Sequence, residues 1–338
     1  YIILSVVSMG IGIFTTILSI FTGKKKYKKD CEKRINTYNQ YIEKKRVEII
    51  DLRDKELDVM KKIYIDANQD LDLALKFKHQ LFDRTEEDED FLSVYLGNGT
   101  IKSAIPLEYS NQDRIEVGDE VTDMPEKLYK EFEKLCDAPV FVGLNNVSAV
   151  GIVGDKNSTH SILKNMVVDI VSRHYFGEVK LFLLAEDVDQ YKWFKYLPHV
   201  YNDFGTRNLV YDMESKNNVF ENLYKELTWR EQTKEITYHG VVFVINEFGI
   251  KNHPISRYIE NATELGVTFI FIEESEVKLP LHCAYIIRMK DESDGELCDT
   301  SDGIAINEFK FSPISDAMME QFSYKLAPVY CEKVSLES

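Results

Sequence analysis

The sequence predicts an α/β fold built on a mostly parallel sheet with flanking helices. The main indication is an alternation of apolar strands and amphipathic helices from about residue 138 onward. Near-continuous runs of β-branched and aromatic residues are typical of strands buried on both faces, as in a parallel sheet covered by helices. The predicted strands are APVFVGL, SAVGIVG, EVKLFLLA, HGVVFVIN, GVTFIFIE and AYIIRM, and the predicted helices cover residues 158–175, 188–196, 218–233 and 253–265.

The first 22 residues, YIILSVVSMGIGIFTTILSIFT, carry no charge. At a rise of about 1.5 Å per residue, a helix of that length covers the ~30 Å hydrocarbon layer of a bilayer. The cluster KKKYKK follows at 24–29, and lysines beside an apolar span mark the cytoplasmic side. We therefore expect a transmembrane helix at 1–22 in the cell membrane, with the bulk of the chain cytoplasmic. Because the chain begins in this segment without Met, we expect a fragment of a larger membrane protein; a buried core helix is the alternative.

A long helical stalk is predicted over residues 23–85. The stretch 30–83 contains no Pro and no Gly and is rich in Lys, Glu, Asp and Leu. Heptad positions counted from Ile35, together with the positions three residues later, are mostly apolar and include Ile42, Ile49, Leu52 and Val59. Such a narrow seam indicates a coiled-coil arm or a stalk packed on a neighbour. A solvated single helix held by i,i+4 charge pairs is the alternative.

A small β-rich and helical connecting region is predicted over 86–137. FLSVYLG, IKSAIPLEY and DRIEVGDEV are short alternating runs, and Asn98-Gly99 between the first two is typical of a hairpin turn. A helix is expected at 124–136. The α/β domain then spans 138–327, with a linker to a following domain at 328–338. Within that domain, the acidic stretch DESDGELCDTSDG at 291–303 is predicted to be a solvated loop.

The net charge and the cysteine content indicate which partners and which cellular compartment to expect. The net charge is −16, and its distribution is uneven: residues 1–84 hold 17 Lys and Arg against 12 Asp and Glu, whereas residues 85–338 hold 24 against 45. A segment at −21 repels phosphate backbones, so a nucleic-acid surface is not expected. Five scattered cysteines without a CxxC pair fit a reducing compartment better than disulfides or zinc.

The stretch VGIVGDKNSTHSILKN has the layout of a phosphate-binding loop, in which an apolar strand ends at Gly154 and a helix follows. A P-loop reads GxxxxGK[ST], where Gly lets backbone N–H groups wrap the phosphates and Lys neutralises their charge. Here Thr159 replaces the second Gly and His160 replaces the Lys, while Ser161 remains. Lys156 is the one cation within the loop, beside the added negative charge of Asp155.

A second motif, the Walker B strand, also lacks a charged residue that nucleotide chemistry needs. A Walker B strand ends in Asp, commonly followed by Glu, to hold Mg²⁺ and polarise water. In YHGVVFVINEFG those two positions are Asn246 and Glu247, so the Mg²⁺-directed carboxylate has become an amide. Together the two elements predict a P-loop-NTPase-like fold without catalytic residues, and no cofactor or metal in this chain.

The segment WFKYLPHV, which includes Trp193, Leu197, Pro198 and His199, has two interpretations. It is a helix end packed in the core and stopped by Pro198, or an interdomain patch that contacts a following domain or a neighbouring subunit. His199 lacks a Cys or carboxylate at ligand spacing, so a metal role is not expected.

The order of segments resembles the FtsK/SpoIIIE-type ATPases, and most closely the region after the membrane in the EssC/EccC ATPases of type VII secretion. Tyr95 departs from the pattern, because the opening strand of that family is expected to carry Arg there. The segments that carry the resemblance are FLSVYLGNG, WFKYLPHV, TELGVTFIFIEE, LPLHCAYIIRM and FKFSPISDAMMEQFSYKLAPVY, and they cover most of the chain in the right order.

The resemblance implies a membrane-anchored motor protein whose later domains bind ATP and Mg²⁺. This chain is then the stalk and a degenerate first ATPase-like domain, a non-catalytic scaffold that supports protein export. The implied partners are other type VII secretion membrane components, further copies of itself in a hexamer, and WXG100-type substrates bound through later domains. An FtsK-like DNA translocase and a nucleotide sensor that does not hydrolyse remain the alternatives; the −21 segment argues against the first.

Overall fold

The computed structural model describes residues 2–108, 123–202, 205–246, 249–301 and 306–329, without the side chains of residues 2–6, 8 and 188. The chain divides into two compact units. The smaller unit comprises Tyr1–Asp58 and Lys102–Leu135, and the larger unit comprises Val59–Ile101 and Cys136–Ser338.

One helix, α1 (Ile2–Ile63), covers both the predicted membrane segment and most of the predicted stalk. Among the described residues, no helix combines the length and the hydropathy needed to cross a membrane. Part of the predicted segment 1–22 lies outside those residues, since the side chains of 1–6 and 8 are not described. The transmembrane helix at 1–22 is therefore not confirmed and stays a prediction.

Within the smaller unit, a buried ion pair lies on the inner face of α1. Arg53 and Glu56 are 2.9 Å apart and almost fully buried. The Glu56 carboxylate accepts hydrogen bonds from the Ser103 hydroxyl at 2.7 Å and the Ala104 N–H at 2.7 Å. Burial alone would raise the pKa of Glu56, but these hydrogen bonds outweigh it and lower the pKa. Glu56 lies at a position of the heptad counted from Ile35, where an apolar residue is expected. Its carboxylate accepts a backbone hydrogen bond there, so the polar residue has a structural role.

The predicted seam is only partly covered. Ile42 and Ile49 are half-buried, whereas Leu52 and Val59 are 44% and 54% exposed. Residues 23–63 are helical as part of α1, while the stalk and the coiled coil remain predictions. Within the described part of the smaller unit, a further helix, α3 (Met124–Phe132), is shorter than the helix predicted for 124–136 because strand β2 begins at Lys134. The predicted strand DRIEVGDEV lies outside the described residues.

Over the residues that the structure describes, the sheet has nine strands in the order β2-β1-β9-β8-β7-β3-β6-β5-β4. Strands β7, β3, β6, β5 and β4 are mutually parallel, as predicted, whereas β8 pairs antiparallel with β7 and β9, and β9 pairs antiparallel with β1. The bounds are β1 Ser93–Lys102, β2 Lys134–Gly143, β3 Ala149–Val153, β4 Val179–Leu184, β5 His239–Ile245, β6 Val267–Glu273, β7 Tyr285–Met289, β8 Asp294–Asp299 and β9 Ile306–Lys310.

Two sequence predictions for this sheet are wrong. The predicted turn at Asn98-Gly99 lies inside β1, where the two residues pair with Lys310 and Phe309 of β9. A Cβ on Gly99 would lie 1.9 Å from the Glu308 carbonyl oxygen, so glycine serves the close approach of two strands and not a turn. The acidic stretch at 291–303 contains strand β8, which the antiparallel ladders on both sides hold in place.

Helices cover both faces of the sheet. On one face, α2 (Ala67–Leu75), α4 (Lys156–Arg173) and α6 (Asp316–Leu326) pack over one set of strand side chains; on the other lies α5 (Met213–Thr233). Strand β4 shows the alternation, with Leu181 and Leu183 on the first face and Phe182 and Leu184 on the second. The helix predicted at 253–265 is instead a series of short 3₁₀ turns over Pro254–Tyr258 and Ala262–Leu265.

The WFKYLPHV segment is part of the first core. Val188–Tyr196 forms a 3₁₀ helix, and Trp193 is 2% exposed with its ring 5.7 Å from that of Phe194. Leu197, Pro198 and His199 are also buried. Side chains enclosed in this way agree with the packing interpretation, and an interdomain patch made of them would require the core to open.

Ionisable groups are also buried in the larger unit. Asp70 is fully buried, and Arg173 Nε lies 3.1 Å from its carboxylate. Arg173 and Arg84 each donate a 2.7 Å hydrogen bond to the carbonyl of Ile63, the last residue of α1. Burial raises the pKa of the Asp70 and Asp169 carboxyl groups, that of Asp169 to about 6.

We expect Trp193→Ala to lower the free energy of unfolding by about 3–5 kcal/mol, because it removes a large side chain from a closed core. Trp229, the other tryptophan, is 39% exposed, and Trp229→Ala serves as a matched control that should cost clearly less. Denaturant unfolding of both variants measures the difference. Near-wild-type stability of Trp193→Ala would contradict its assignment to the core.

We also expect the larger unit to lose about 2–4 kcal/mol of stability between pH 7.5 and 5.5. Burial lowers the pKa of His174, His199 and His239 to about 3, whereas an unfolded histidine titrates near 6.5. Below pH 6.5 these histidines bind protons in the unfolded chain but stay neutral in the folded chain. Lower pH therefore stabilises the unfolded state. The raised pKa values of Asp70 and Asp169 oppose this effect only partly.

Denaturant titrations at several pH values test this dependence. His199→Gln should reduce the slope of stability against pH by about a third, since it removes one of three buried histidines. Stability that stays constant or rises from pH 7.5 to 5.5 would contradict the assignment.

Candidate functional site: the loop between β3 and α4

The loop predicted to resemble a phosphate-binding loop connects β3 to α4. Strand β3 ends at Val153, Gly154 and Asp155 form the connection, and α4 begins at Lys156. Strand β3 lies between β6 and β7 within the parallel part of the sheet. The carboxyl ends of such strands are where open α/β sheets bind ligands. The predicted loop therefore lies at the edge of the sheet where such folds bind ligands.

Asp155 occupies the helix N-terminus with its own carboxylate. The carboxylate accepts hydrogen bonds from the backbone N–H groups of Asn157 at 2.9 Å and Ser158 at 3.2 Å, and from the Ser158 hydroxyl. Hydrogen bonds from Ser158, first its side chain and then its backbone, lower the pKa of Asp155 and keep it ionised. The N–H groups of a helix N-terminus are the usual ligands of a phosphate. Here the Asp155 carboxylate already accepts hydrogen bonds from two of these groups, the N–H groups of Asn157 and Ser158.

The His160 and Ser161 side chains are committed to other parts of the fold. His160 is 7% exposed, and its Nε2 lies 3.3 Å from Asp316 Oδ1, to which Lys164 also binds at 2.8 Å. Burial, followed by the charge of Lys164, lowers the pKa of His160, so the ring stays neutral at pH 7. The Ser161 hydroxyl donates to the Glu292 carbonyl at 2.7 Å. Neither side chain is placed to hold a phosphate or Mg²⁺.

The remaining loop residues have structural roles as well. Lys156 Nζ lies 3.0 Å from Asp187 in an exposed ion pair. The Thr159 hydroxyl donates back to the Asp155 carbonyl at 3.1 Å. A Cβ on Gly154 would lie 2.9 Å from Cβ of Met289, so close packing against β7 explains the glycine without a ligand. Sequence reasoning missed that role, because nothing in the sequence places Met289 beside Gly154.

Asn246 follows β5 and lies at the same end of the sheet. Its φ of 53° is in the left-handed region, which Asn tolerates better than most residues, and its N–H donates to the Ile272 carbonyl at 3.0 Å. The amide at the Walker B position thus fits a turn. Glu247 lies outside the described residues.

The cleft beside the loop is small and acidic. Its volume is about 160 Å³, below the roughly 300–1,000 Å³ of typical small-molecule sites. Four carboxylates line it against one cation, Lys156; they belong to Glu186, Asp187, Glu273 and Glu274. Charge of that sign repels a triphosphate. Across the described ranges, no group of three or more His, Cys, Asp or Glu side chains could hold a metal ion.

Comparison with known proteins finds relatives that share nearly the whole chain. The type VII secretion system protein EssC of Staphylococcus aureus strain MSSA476 is 26% identical over 343 residues, which cover 97% of this chain and 23% of the relative. The ESX secretion system protein EccC of Geobacillus thermodenitrificans is 23% identical over 309 residues, 88% of this chain and 21% of the relative. No protein-family model matches the chain.

Solved structures of the same kind show partial similarity. EssC ATPases 2 and 3 from Geobacillus thermodenitrificans match with a TM-score of 0.48 at 9% identity, covering 73% of this chain and 50% of that one. Thermomonospora curvata EccC ATPases 2 and 3, in complex with a signal sequence peptide, match with a TM-score of 0.45 at 8% identity, covering 68% and 42%.

The sequence relatives agree with the resemblance found in the order of motifs. The chain spans about a quarter of the length of the curated relatives it matches. The similarity extends over almost all of the chain and is not confined to one domain. The chain is similar to the EssC and EccC proteins of type VII secretion systems over almost all of its length.

Proposed function

We propose that this chain is a membrane-anchored, non-catalytic segment of a type VII secretion motor protein, which couples a membrane helix to ATPase domains that follow it. Its role would be scaffolding, by transmitting conformational change between the two. The proposal rests first on the loop between β3 and α4.

The observation that carries the non-catalytic assignment is the Asp155 carboxylate at the N-terminus of α4. It binds the N–H groups of Asn157 and Ser158, where a nucleotide phosphate would have to bind. An exogenous anion would need to displace a fixed, ionised side chain that is part of the helix cap. The cleft that would receive the rest of the nucleotide is small and lined by carboxylates.

The membrane anchor is supported by the surface of α1. The described apolar side chains between Val7 and Phe21 are 47–71% exposed, and the lysines at 24–29 follow directly. An apolar helix surface of this kind is expected in contact with lipid, and the lysines with anionic headgroups at the cytoplasmic face. We therefore propose that the chain is located at the cell membrane, with the bulk of the chain after the lysines cytoplasmic.

The remaining partners belong to the full-length protein. Since the chain spans about a quarter of its relatives, ATP and Mg²⁺ would bind in other domains. Other type VII secretion membrane components, further copies of the protein in a hexamer, and WXG100-type substrates bound through later domains complete the proposal. The strongly acidic composition of residues 85–338 argues against nucleic acid as a partner.

We expect Mg-ATP to bind the 338-residue chain with a dissociation constant of about 1 mM or weaker. Loss of the Lys and the Mg²⁺-directed Asp removes two charge-assisted contacts of roughly 1.5–3 kcal/mol each, which moves a micromolar site to millimolar or beyond. Calorimetric titration measures the constant. A value in the low micromolar range that Lys156→Ala abolishes would contradict the proposal.

A matched variant tests whether the negative charge of Asp155 prevents Mg-ATP from binding. Asp155→Ser keeps a good helix cap but removes the negative charge, so any gain in affinity for Mg-ATP identifies Asp155 as the competitor of phosphate. In the full-length protein we expect Lys156→Ala and Asp155→Ser to leave secretion near the wild-type level, because this domain hydrolyses nothing. An export defect in both variants, with normal protein abundance, would indicate a functional site here.

A further inference from the structure

Two aspartates, Asp70 of α2 and Asp169 of α4, meet in the interior of the larger unit. Asp70 is fully buried, and Asp169 is 4% exposed. Their carboxyl groups are close enough for a direct hydrogen bond once one of them is protonated. Two ionised carboxylates in such contact repel each other strongly in the interior of a protein. Nothing in the proposed function uses this pair.

The carboxyl pair lacks hydrogen-bond donors. Across the described ranges, neither oxygen of Asp70 accepts a hydrogen bond, nor does Oδ2 of Asp169. Arg173 Nε lies 3.1 Å from Asp70 Oδ1, but this ion pair lacks the alignment of a hydrogen bond. A buried carboxylate oxygen without a donor is costly. Because a protonated carboxyl group is itself a donor, one proton on the pair supplies the missing hydrogen bond.

The surrounding cations balance only one negative charge on the pair. Arg173 lies directly beside it, and Arg84 is the next cation whose charge acts on it. Arg84 already forms an ion pair with Asp90, and Asp83 lies 3.8 Å from both arginines. One shared proton leaves a single negative charge on the pair, which Arg173 matches. Without that proton, a second buried negative charge would be uncompensated.

The other titratable groups around the pair stay neutral. Burial raises the pKa of the Tyr64 and Tyr95 phenols, and it lowers the pKa of His174 to about 3. The Tyr95 N–H donates to the Asp169 carboxyl group. Burial raises the pKa of Asp70, and the charge of Asp169 raises it further. The surroundings of the pair therefore favour retention of a proton.

The same two arginines hold the end of α1. Arg173 and Arg84 each donate a 2.7 Å hydrogen bond to the carbonyl of Ile63, the last residue of that helix. Residues 59–63 of α1 belong to the larger unit, as do both arginines. Positive charge at a helix C-terminus is stabilising, because it complements the helix dipole. A change in the charge of the pair therefore acts on the side chains that bind α1.

We propose that Asp70 and Asp169 share one proton and form a proton-dependent latch on the end of α1. With the proton present, the buried charges balance and both arginines bind the Ile63 carbonyl. When alkaline pH transfers the proton to solvent, the second carboxylate competes for Arg173 and Arg84, and their bonds to Ile63 loosen. A use of the latch in coupling rests on the proposed function, whereas the latch itself is a property of this chain alone.

Infrared difference spectra of the whole 338-residue chain in mild detergent, recorded between pH 7 and alkaline pH, test the shared proton. We expect a carbonyl band of a protonated carboxyl group at pH 7 that is lost as the pH rises. Asp70→Asn and Asp169→Asn should each abolish the band, because the remaining aspartate then pairs with Arg173 as a carboxylate. Asp72 lies on the same helix in an exposed ion pair with Lys78, and Asp72→Asn should keep the band.

Hydrogen exchange measures the latch itself. The Arg84 N–H donates to the Arg173 carbonyl at 2.9 Å, so its protection reports whether the loop that carries Arg84 stays on α4. Opening releases the shared proton, so protection corrected for the intrinsic rate should fall about tenfold per pH unit above pH 7. In Asp70→Asn it should not depend on pH, and amides of α5 should behave alike in both proteins.

Melting temperatures show whether the variants are folded. Asp70→Asn should melt at or above the wild-type temperature, because its amide donates to Asp169 as the protonated acid does. The proposal is overturned if the wild type shows no protonated-carboxyl band at pH 7 or if either asparagine variant keeps the band. It is also overturned if protection of the Arg84 amide changes with pH equally in the wild type and in Asp70→Asn.

Discussion

The burial of the parallel strands on both faces is the constraint on which the rest of the larger unit depends. Strands β4 and β6 are buried along their whole length, so each face must be covered by helices. That requirement places α4 on one face, with all of residues 158–173 buried, and α5 on the other. The loop after Gly154 is a consequence of where α4 must begin.

The same constraint gives the loop between β3 and α4 a structural role of its own. The helix that follows β3 needs a cap whether or not a ligand is present, and Asp155 supplies it from within the chain. His160 and Lys164 bind Asp316 at the start of α6, so side chains of the predicted loop and its helix contribute to packing. The residues that differ from the P-loop pattern therefore have structural roles in this fold.

Some strands of the sheet can be predicted from the sequence and others cannot, for a physical reason. The parallel strands were predictable because burial on both faces requires a continuous run of apolar residues in each of them. Strand β8 was not, since its acidic residues alternate with side chains that face inward and only the ladders to β7 and β9 hold it. Asn98-Gly99 likewise carries the composition of a turn, while the pairing of β1 with β9 keeps it extended.

The sequence by itself determined the fold class, the resemblance to EssC and EccC proteins and the position of the loop after Gly154, because apolar periodicity and the order of motifs are local properties of the chain. Only the tertiary structure decided what the loop residues and the apolar side chains contact. That Gly154 packs on Met289 and that Trp193 is enclosed both depend on contacts between residues distant in sequence. Such contacts arise when the helices close over the sheet, and no local pattern encodes which side chains then meet.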